Sequence, residues 1–109
     1  MDRRFWVGYG RLADFEKVFG PAGMWDEFLS LAKGYVGTQV QRESEAERQY
    51  RVLDFWTSHR WFEGFRKQYA AEFEWFRQRI VAEGLVERQE VVGTYYESSE
   101  GDDLIAAES

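Results

Sequence analysis

The chain has 109 residues, a common length for a single domain, and aromatic side chains make up 18% of it. It contains no cysteine and one histidine, which excludes disulfides, thiol catalysis and a histidine-rich metal site within one chain. The net charge of −6 arises mainly in residues 97–109, which hold five acids and no base, whereas the preceding 96 residues hold 15 acids and 14 bases. Because no basic stripe is present, we expect no nucleic-acid partner.

We expect neither a membrane span nor a signal peptide in this sequence. No apolar run approaches the length of about 18 residues that suits a membrane span, and the first ten residues lack the apolar segment of a signal peptide. We therefore expect a cytoplasmic protein with no membrane partner. Residues 98–109 form an acidic tail without a hydrophobic period, which we predict to be disordered, leaving residues 1–97 as one domain.

The first part of the domain is predicted to form a strand followed by an interrupted helix. Residues 5–12, FWVGYGRL, are rich in aromatic side chains and predict a strand. Helical spacing begins over residues 13–20, and the only proline, within GPAG at 20–23, must interrupt it. Helical spacing resumes over residues 24–32, and Gly34 stands where a glycine commonly ends a helix.

The second half predicts a hairpin, a long helix and a last strand. Residues 35–44 and 48–57 alternate as strands around a short charged loop. Ser58 is suited to cap a helix that runs to Gly84, and residues 87–97 form the last strand. One apolar stripe follows the whole helix in steps of three or four: Phe62, Phe65, Tyr69, Phe73, Phe76 and Ile80.

This order of elements predicts an α+β fold of the ferredoxin-like βαββαβ type, with helices on one face of a four-stranded antiparallel sheet. Alternation places Leu53 and Phe55 on one side of the third strand and Val52 and Trp56 on the other. Both faces of the sheet are thus predicted to be largely apolar. Since such a face is rarely left in water, we expect a homodimer through the sheet face.

Four segments taken together resemble the antibiotic-biosynthesis monooxygenase (ABM-like) family of dimeric α/β barrels. They are FGPAGMWDEFL, GYVGTQV, YRVLDFWTSHRWFEGF and VGTYYE, and the resemblance spans about residues 5–97 in order. It implies a ferredoxin-like subunit that dimerises through its sheet. It also implies a small hydrophobic or aromatic ligand in a cleft between the sheet and the helices.

The resemblance implies two kinds of chemistry. Some members oxygenate polycyclic phenols without metal or flavin, and others bind and degrade heme. Both branches use a pocket asparagine, which this chain lacks, and the heme-degrading branch uses a histidine deeper in the second helix, where residues 67–71 hold none. We therefore expect no bound cofactor and no metal. Gln39, Tyr35 or His59 would have to supply the hydrogen bond to a phenolate.

Three residues around the junction of the third strand and the long helix are the catalytic candidates. Trp56 falls where active members carry a pocket tryptophan, and it either stacks on an aromatic ligand or fills the core. Asp54 interrupts an apolar strand, so it is either a general base or the partner of an arginine such as Arg42 or Arg51, or of one across the dimer. His59, at the helix start, either accepts a phenolic proton as neutral imidazole or is simply exposed.

The remaining pocket candidates are residues that the fold would place around the same cleft: Tyr9, Trp25, Tyr35, Gln39, Phe65 and Tyr69. The leading functional hypothesis is an ABM-like small-molecule protein that acts as a cofactor-independent monooxygenase on aromatic or polyketide-like phenols. One alternative is a non-catalytic dimeric module that binds a hydrophobic ligand or is purely structural. Another is a cofactor-free isomerase or cyclase.

Overall fold

The computed structural model describes residues 1–93, so residues 94–97 of the predicted last strand, and the predicted tail, lie outside the described part. Four strands and four helices follow one another in these residues. They are β1 (Asp2–Val7), α1 (Leu12–Phe19), α2 (Met24–Leu29), β2 (Tyr35–Ser44), β3 (Gln49–Trp56), α3 (His59–Gln68), α4 (Ala70–Ala82) and β4 (Val86–Gly93). The predicted α+β class is confirmed.

The four strands form one antiparallel sheet in the order β2-β3-β1-β4. β1 and β3 occupy its centre, where Arg3 lies opposite Val52 and Phe5 opposite Tyr50. The predicted four-stranded antiparallel sheet is confirmed by this pairing.

The core lies between one face of the sheet and the helices. β3 alternates strictly, so that Tyr50, Val52, Asp54 and Trp56 are buried while the residues between them are only half-buried. Burying each large apolar side chain contributes roughly 1.5–3 kcal/mol relative to leaving it exposed. The buried apolar residues are Phe5, Val7, Phe15, Phe19, Trp25, Leu29, Tyr50, Val52, Trp56, Phe62, Phe65, Ile80, Leu85 and Val86.

The long second helix was predicted as continuous, and this prediction was wrong at one residue. Tyr69 leaves the helical conformation (φ −114°, ψ 35°) and separates α3 from α4. No glycine or proline marks this bend. Instead the Tyr69 ring lies 4.7 Å from that of Phe65 and meets Phe28 edge-on at 5.8 Å. The bend keeps the apolar stripe over the core, because Phe62 in α3 and Ile80 in α4 are both buried.

The first strand was predicted too late in the chain. β1 ends at Val7, and residues 9 and 10 form a turn. Gly8, between the strand and this turn, has no room for a side chain, because an added Cβ would lie 2.2 Å from the carbonyl oxygen of Gly84. β1 instead begins at Asp2, because its charged residues are paired: Asp2 binds Arg51 and Arg3 binds Asp54.

The outer face of the sheet, away from the helices, is not the apolar surface predicted. Its centre is an ion-pair network in which Arg4 donates to Glu43 (2.8 Å) and to Glu90 (2.6 Å). Arg51 also binds Glu43, at 3.0 Å, and contacts Asp2. The prediction weighed the apolar members of each strand and overlooked that the strand register gathers these charges in one place.

Candidate functional site

Asp54 lies at the centre of a buried polar network on the inner face of the sheet. Its side chain is almost fully buried. One carboxylate oxygen, Oδ1, accepts hydrogen bonds from Trp25 Nε1 (2.9 Å) and Thr38 Oγ1 (2.8 Å). The other, Oδ2, accepts from Arg3 Nη2 at 3.3 Å. The predicted arginine partner thus exists, but it is Arg3, which the sequence prediction did not name.

The network continues outward through Tyr35. Its hydroxyl donates to Asp26 Oδ1 (2.7 Å) and lies 2.6 Å from Thr38 Oγ1. Burial raises the pKa of the Tyr35 hydroxyl well above its ordinary value, so the group stays neutral and protonated at physiological pH. The two hydroxyl protons can serve two of these three contacts at a time, and the two hydroxyls link the carboxylates of Asp26 and Asp54. This arrangement ties β2 to β3 and to α2.

Arg3 is the cation of the network, and its environment is unusual. Its side chain is only 11% exposed, and its guanidinium lies 4.4 Å above the centre of the Trp25 ring. The long contact with Asp54 uses one nitrogen, while Nε is buried with no hydrogen-bond partner in residues 1–93. Burial lowers the pKa of Arg3, and the Asp54 carboxylate opposes that shift. One donor of a buried cation is therefore unsatisfied, which costs about 1–3 kcal/mol.

Trp56 is completely buried and surrounded by other rings. Tyr35 lies 5.5 Å, Phe62 5.4 Å and Phe65 5.8 Å from it, measured between ring centres. Its Nε1 has no hydrogen-bond partner among the described residues. With no space open to its ring, Trp56 fills the core here, which is the structural alternative of the sequence analysis.

The other predicted site residues fall into two groups. The structure brings Trp25, Tyr35, Phe65 and Tyr69 close to Asp54 and Trp56 through the contacts given above. It does not bring in the other three. Tyr9 is 85% exposed in the turn after β1, Gln39 is exposed on the edge strand β2, and His59 is half-buried at the start of α3.

A cleft opens between the helices and the sheet beside the last strand, and we call it the α4 cleft. It has a volume of about 520 Å³ and lies between α3 and α4 on one side and β1 and β4 on the other. Ala70, Phe73 and Val91 give it apolar walls, and Arg3 reaches it from β1. The cation of the buried network therefore belongs to the lining of an open cleft, although its Nε is enclosed.

The charge of the α4 cleft is positive. Arg66, Lys67 and Arg77 line it together with Arg3, and the acids in the lining are Glu74 and Glu90. Both acids are already engaged. Arg77 donates to Glu74 at 2.5 Å, and Arg4, on the outer face, donates to Glu90 at 2.6 Å.

Two further depressions are less suited to a small ligand. A wider groove of about 840 Å³ runs between α1 and β2, along Glu16, Val40 and Arg42. A smaller one of about 360 Å³ lies beside Trp61, with Phe65 and Tyr69 in its wall. Neither is lined by a buried group that lacks a partner. Asp54, Trp56 and His59 line none of the three depressions.

The residues of the α4 cleft were missed from the sequence because they are distant in the chain and common on surfaces. One signal was available: Arg3 and Asp54 stand on neighbouring inward positions of two strands, and a buried aspartate requires a cation. Arg66 and Lys67, by contrast, look like any exposed helical pair until the fold places them beside β4.

Comparison of the chain with protein-family models, curated proteins and solved structures gives no match. None of the helices within residues 1–93 has both the length and the apolar character needed to cross a membrane. In the same part of the chain, no three potential ligands among His, Asp and Glu lie together as a metal site requires. The geometry of the clefts is thus the basis on which a function is assigned.

Proposed function

We propose that this protein is an ABM-like small-molecule-binding protein whose ligand occupies the α4 cleft. The observation that carries the proposal is an open cleft with apolar walls whose lining includes Arg3, a cation only 11% exposed that Asp54 pairs through a single long contact. Small-molecule sites are typically concave, mostly apolar, of about 300–1,000 Å³, and equipped with few convergent polar groups. The α4 cleft meets the criteria of volume and of apolar walls, and its charged residues are Arg3 on the sheet side and a rim on the helices.

The fold supports the family part of the proposal. The sheet order β2-β3-β1-β4, with helices inserted after β1 and after β3, agrees with a ferredoxin-like βαββαβ arrangement. The α4 cleft lies between sheet and helices, where the resemblance to the ABM-like family implies a ligand. The predicted Trp56 and Asp54 contribute to this cleft only indirectly, by fixing Arg3 and the packing behind it.

The dimer remains part of the proposal. The outer face of the sheet carries half-buried apolar side chains, Trp6, Leu53 and Phe55, around its central charges. A second copy related by a two-fold axis would present the same apolar and charged side chains. Apolar groups of one copy would then pack against apolar groups of the other, and acids would face bases. Sedimentation at micromolar concentration tests this, and a monomer there would remove the dimer from the proposal.

Cofactor-independent oxygenation is the second candidate, and Arg3 is the observation that favours it. A guanidinium beside a bound phenol stabilises the phenolate, which is the form that donates an electron to dioxygen. Oxygen uptake by the metal-free protein with anthrones, naphthols and hydroquinones tests it. If oxygen is taken up no faster than in the protein-free mixture, the oxygenase candidate is wrong and the binding function alone is left.

The binding proposal is tested by filling the cleft. Ala70→Phe places a ring in the lining of the α4 cleft, whereas Ala71→Phe places the same ring at the next, exposed helical position outside that lining. With 2-naphthol as the titrant in calorimetry, we expect Ala70→Phe to weaken binding about tenfold, as loss of apolar contact implies. Ala71→Phe should bind as the unaltered chain does. Equal affinities in the two variants would place the ligand elsewhere.

A further inference from the structure

The charges around the α4 cleft specify the class of ligand more narrowly than its shape does. We infer that the cleft takes an organic anion, with an apolar body against Phe73 and a carboxylate-type head received by the Arg3 guanidinium. This inference rests on the proposed function, since it concerns the ligand of the same cleft.

Arg3 is prepared for such a head by its fixed position. The ring of Trp25 below it, at 4.4 Å, and the contact with Asp54, at 3.3 Å, hold the guanidinium plane in place. Asp54 satisfies only part of it, because the other carboxylate oxygen is held by Trp25 and Thr38. Arg3 lines the cleft and 11% of its side chain is exposed, so an anionic head there would meet the positive charge of the guanidinium, while Nε itself stays enclosed.

The rim of the cleft adds positive charge without compensation. Arg66 and Lys67 are exposed, and within residues 1–93 neither forms an ion pair. The acids of the lining do not cancel them, because Glu74 is bound by Arg77 and Glu90 by Arg4. In a chain whose net charge is −6, this is a local positive field that attracts small anions to the cleft.

The apolar walls exclude an inorganic ion as the natural occupant. Phe73 and Ala70 line one side, and Val91, which is 65% exposed, lines the other. Phosphate or sulfate would leave these surfaces in water and would contact the rim alone. A molecule with both an apolar body and a charged head uses the walls and Arg3 together.

The test compares two ligands of nearly the same shape, one an anion and the other neutral. The full-length protein is titrated by calorimetry with 2-naphthoate and with 2-naphthamide, which share the same ring system. We expect naphthoate to bind about tenfold more tightly, as one charge-assisted hydrogen bond implies. This ratio should fall as salt is raised, because the rim charges are exposed.

Two sets of variants locate the charge that is responsible. Arg66→Gln/Lys67→Gln should lower naphthoate affinity about threefold, as two exposed charge interactions imply, and leave naphthamide unchanged. The control, Arg60→Gln/Arg79→Gln, removes one charge from α3 and one from α4, both outside the lining, and should change neither. Arg3→Lys keeps the positive charge but replaces the planar guanidinium held on the Trp25 ring by a mobile ammonium, and it should lower the naphthoate-to-naphthamide ratio about threefold.

The outcomes distinguish a failure of the anion inference from a failure of the binding function. Equal affinities for naphthoate and naphthamide would overturn the anion inference and leave the binding function standing. No binding of either ligand, or of 2-naphthol, would overturn both. A naphthoate preference that is undiminished in both Arg66→Gln/Lys67→Gln and Arg3→Lys would place the anion outside the α4 cleft and overturn the inference. Because a structural role of Arg3 would affect both ligands alike, their ratio separates recognition from folding.

Discussion

Asp54 and Arg3 form one buried pair, but the two sides of the pair have different surroundings. Around Asp54 the space is closed, and three donors on Arg3, Trp25 and Thr38 satisfy the carboxylate. Around Arg3 one donor is unsatisfied and the side chain reaches an open cleft. The comparison teaches that an unusual buried residue indicates a ligand site only where its hydrogen bonds are incomplete and space is open beside it.

Removing the Asp54 carboxylate should have the largest effect on stability. Asp54→Ala leaves a buried guanidinium and the Trp25 Nε1 donor without their acceptor, and we expect a loss of about 3–5 kcal/mol in the free energy of unfolding. Urea denaturation measures it. Asp54→Asn, which keeps an acceptor oxygen, should lose less. A loss below 1 kcal/mol for Asp54→Ala would show that the network is not the anchor described here.

Substitution of the two buried tryptophans should have an intermediate effect on stability. Trp25 Nε1 donates to Asp54, so Trp25→Phe leaves a carboxylate oxygen short of a donor and should cost about 1–3 kcal/mol beyond the change in volume. Trp56 Nε1 has no partner in the described residues, so Trp56→Phe loses no hydrogen bond and should cost less. The same denaturation experiment compares them. A greater loss for Trp56→Phe would show that Trp56 makes a polar contact.

The ion pairs on the outer face of the sheet should make a pH-dependent contribution to the free energy of unfolding. Arg4, with Gln49 and Arg51, holds the pKa of Glu43 at about 2, below its ordinary 4.5. A carboxyl whose pKa is lower in the folded state stabilises the fold above pH 4.5, and this contribution is lost as the pH falls from 4.5 to 2. Glu43→Gln should therefore flatten the decline of stability in that range, by less than about 1 kcal/mol. An unchanged decline would contradict the assignment.

The cationic rim of the α4 cleft should matter least for stability. Arg66 and Lys67 are exposed and have no ion-pair partner in residues 1–93, so Arg66→Gln/Lys67→Gln should shift the free energy of unfolding by no more than about 0.5 kcal/mol. The thermal midpoint of the double variant measures this. A substantial loss would make the two residues structural and would weaken the contrast with Asp54.

Local pattern accounts for most of the fold that could be predicted. β2 was predicted with its observed bounds, and Ser58 was identified as the N-cap of α3, where it accepts from the Trp61 amide at 3.4 Å. The bend at Tyr69 and the early start of β1 could not be predicted. Both depend on long-range packing and charge pairing, which the local hydrophobic pattern of the sequence does not reveal.

The candidate site was predicted only in part, for a related reason. An acid in an apolar strand is conspicuous in a sequence, so Asp54 was found, together with the aromatic residues around it. Its partner Arg3 was not, because the segment that holds it carries three charges in a row and does not resemble a strand. The cationic rim of the α4 cleft depends on the approach of α3 to β4, which only the fold defines.

The central claim is that a small ligand binds in the α4 cleft and not around Trp56. Backbone amide shifts in a ¹H–¹⁵N spectrum of the labelled protein, titrated with 2-naphthoate, test it most directly. We expect the largest shifts around Arg66 to Phe73 and at Gln89 to Val91, with Trp56 and His59 little changed. Largest shifts around Trp56 and His59, or along the groove at Val40 and Arg42, would contradict the claim.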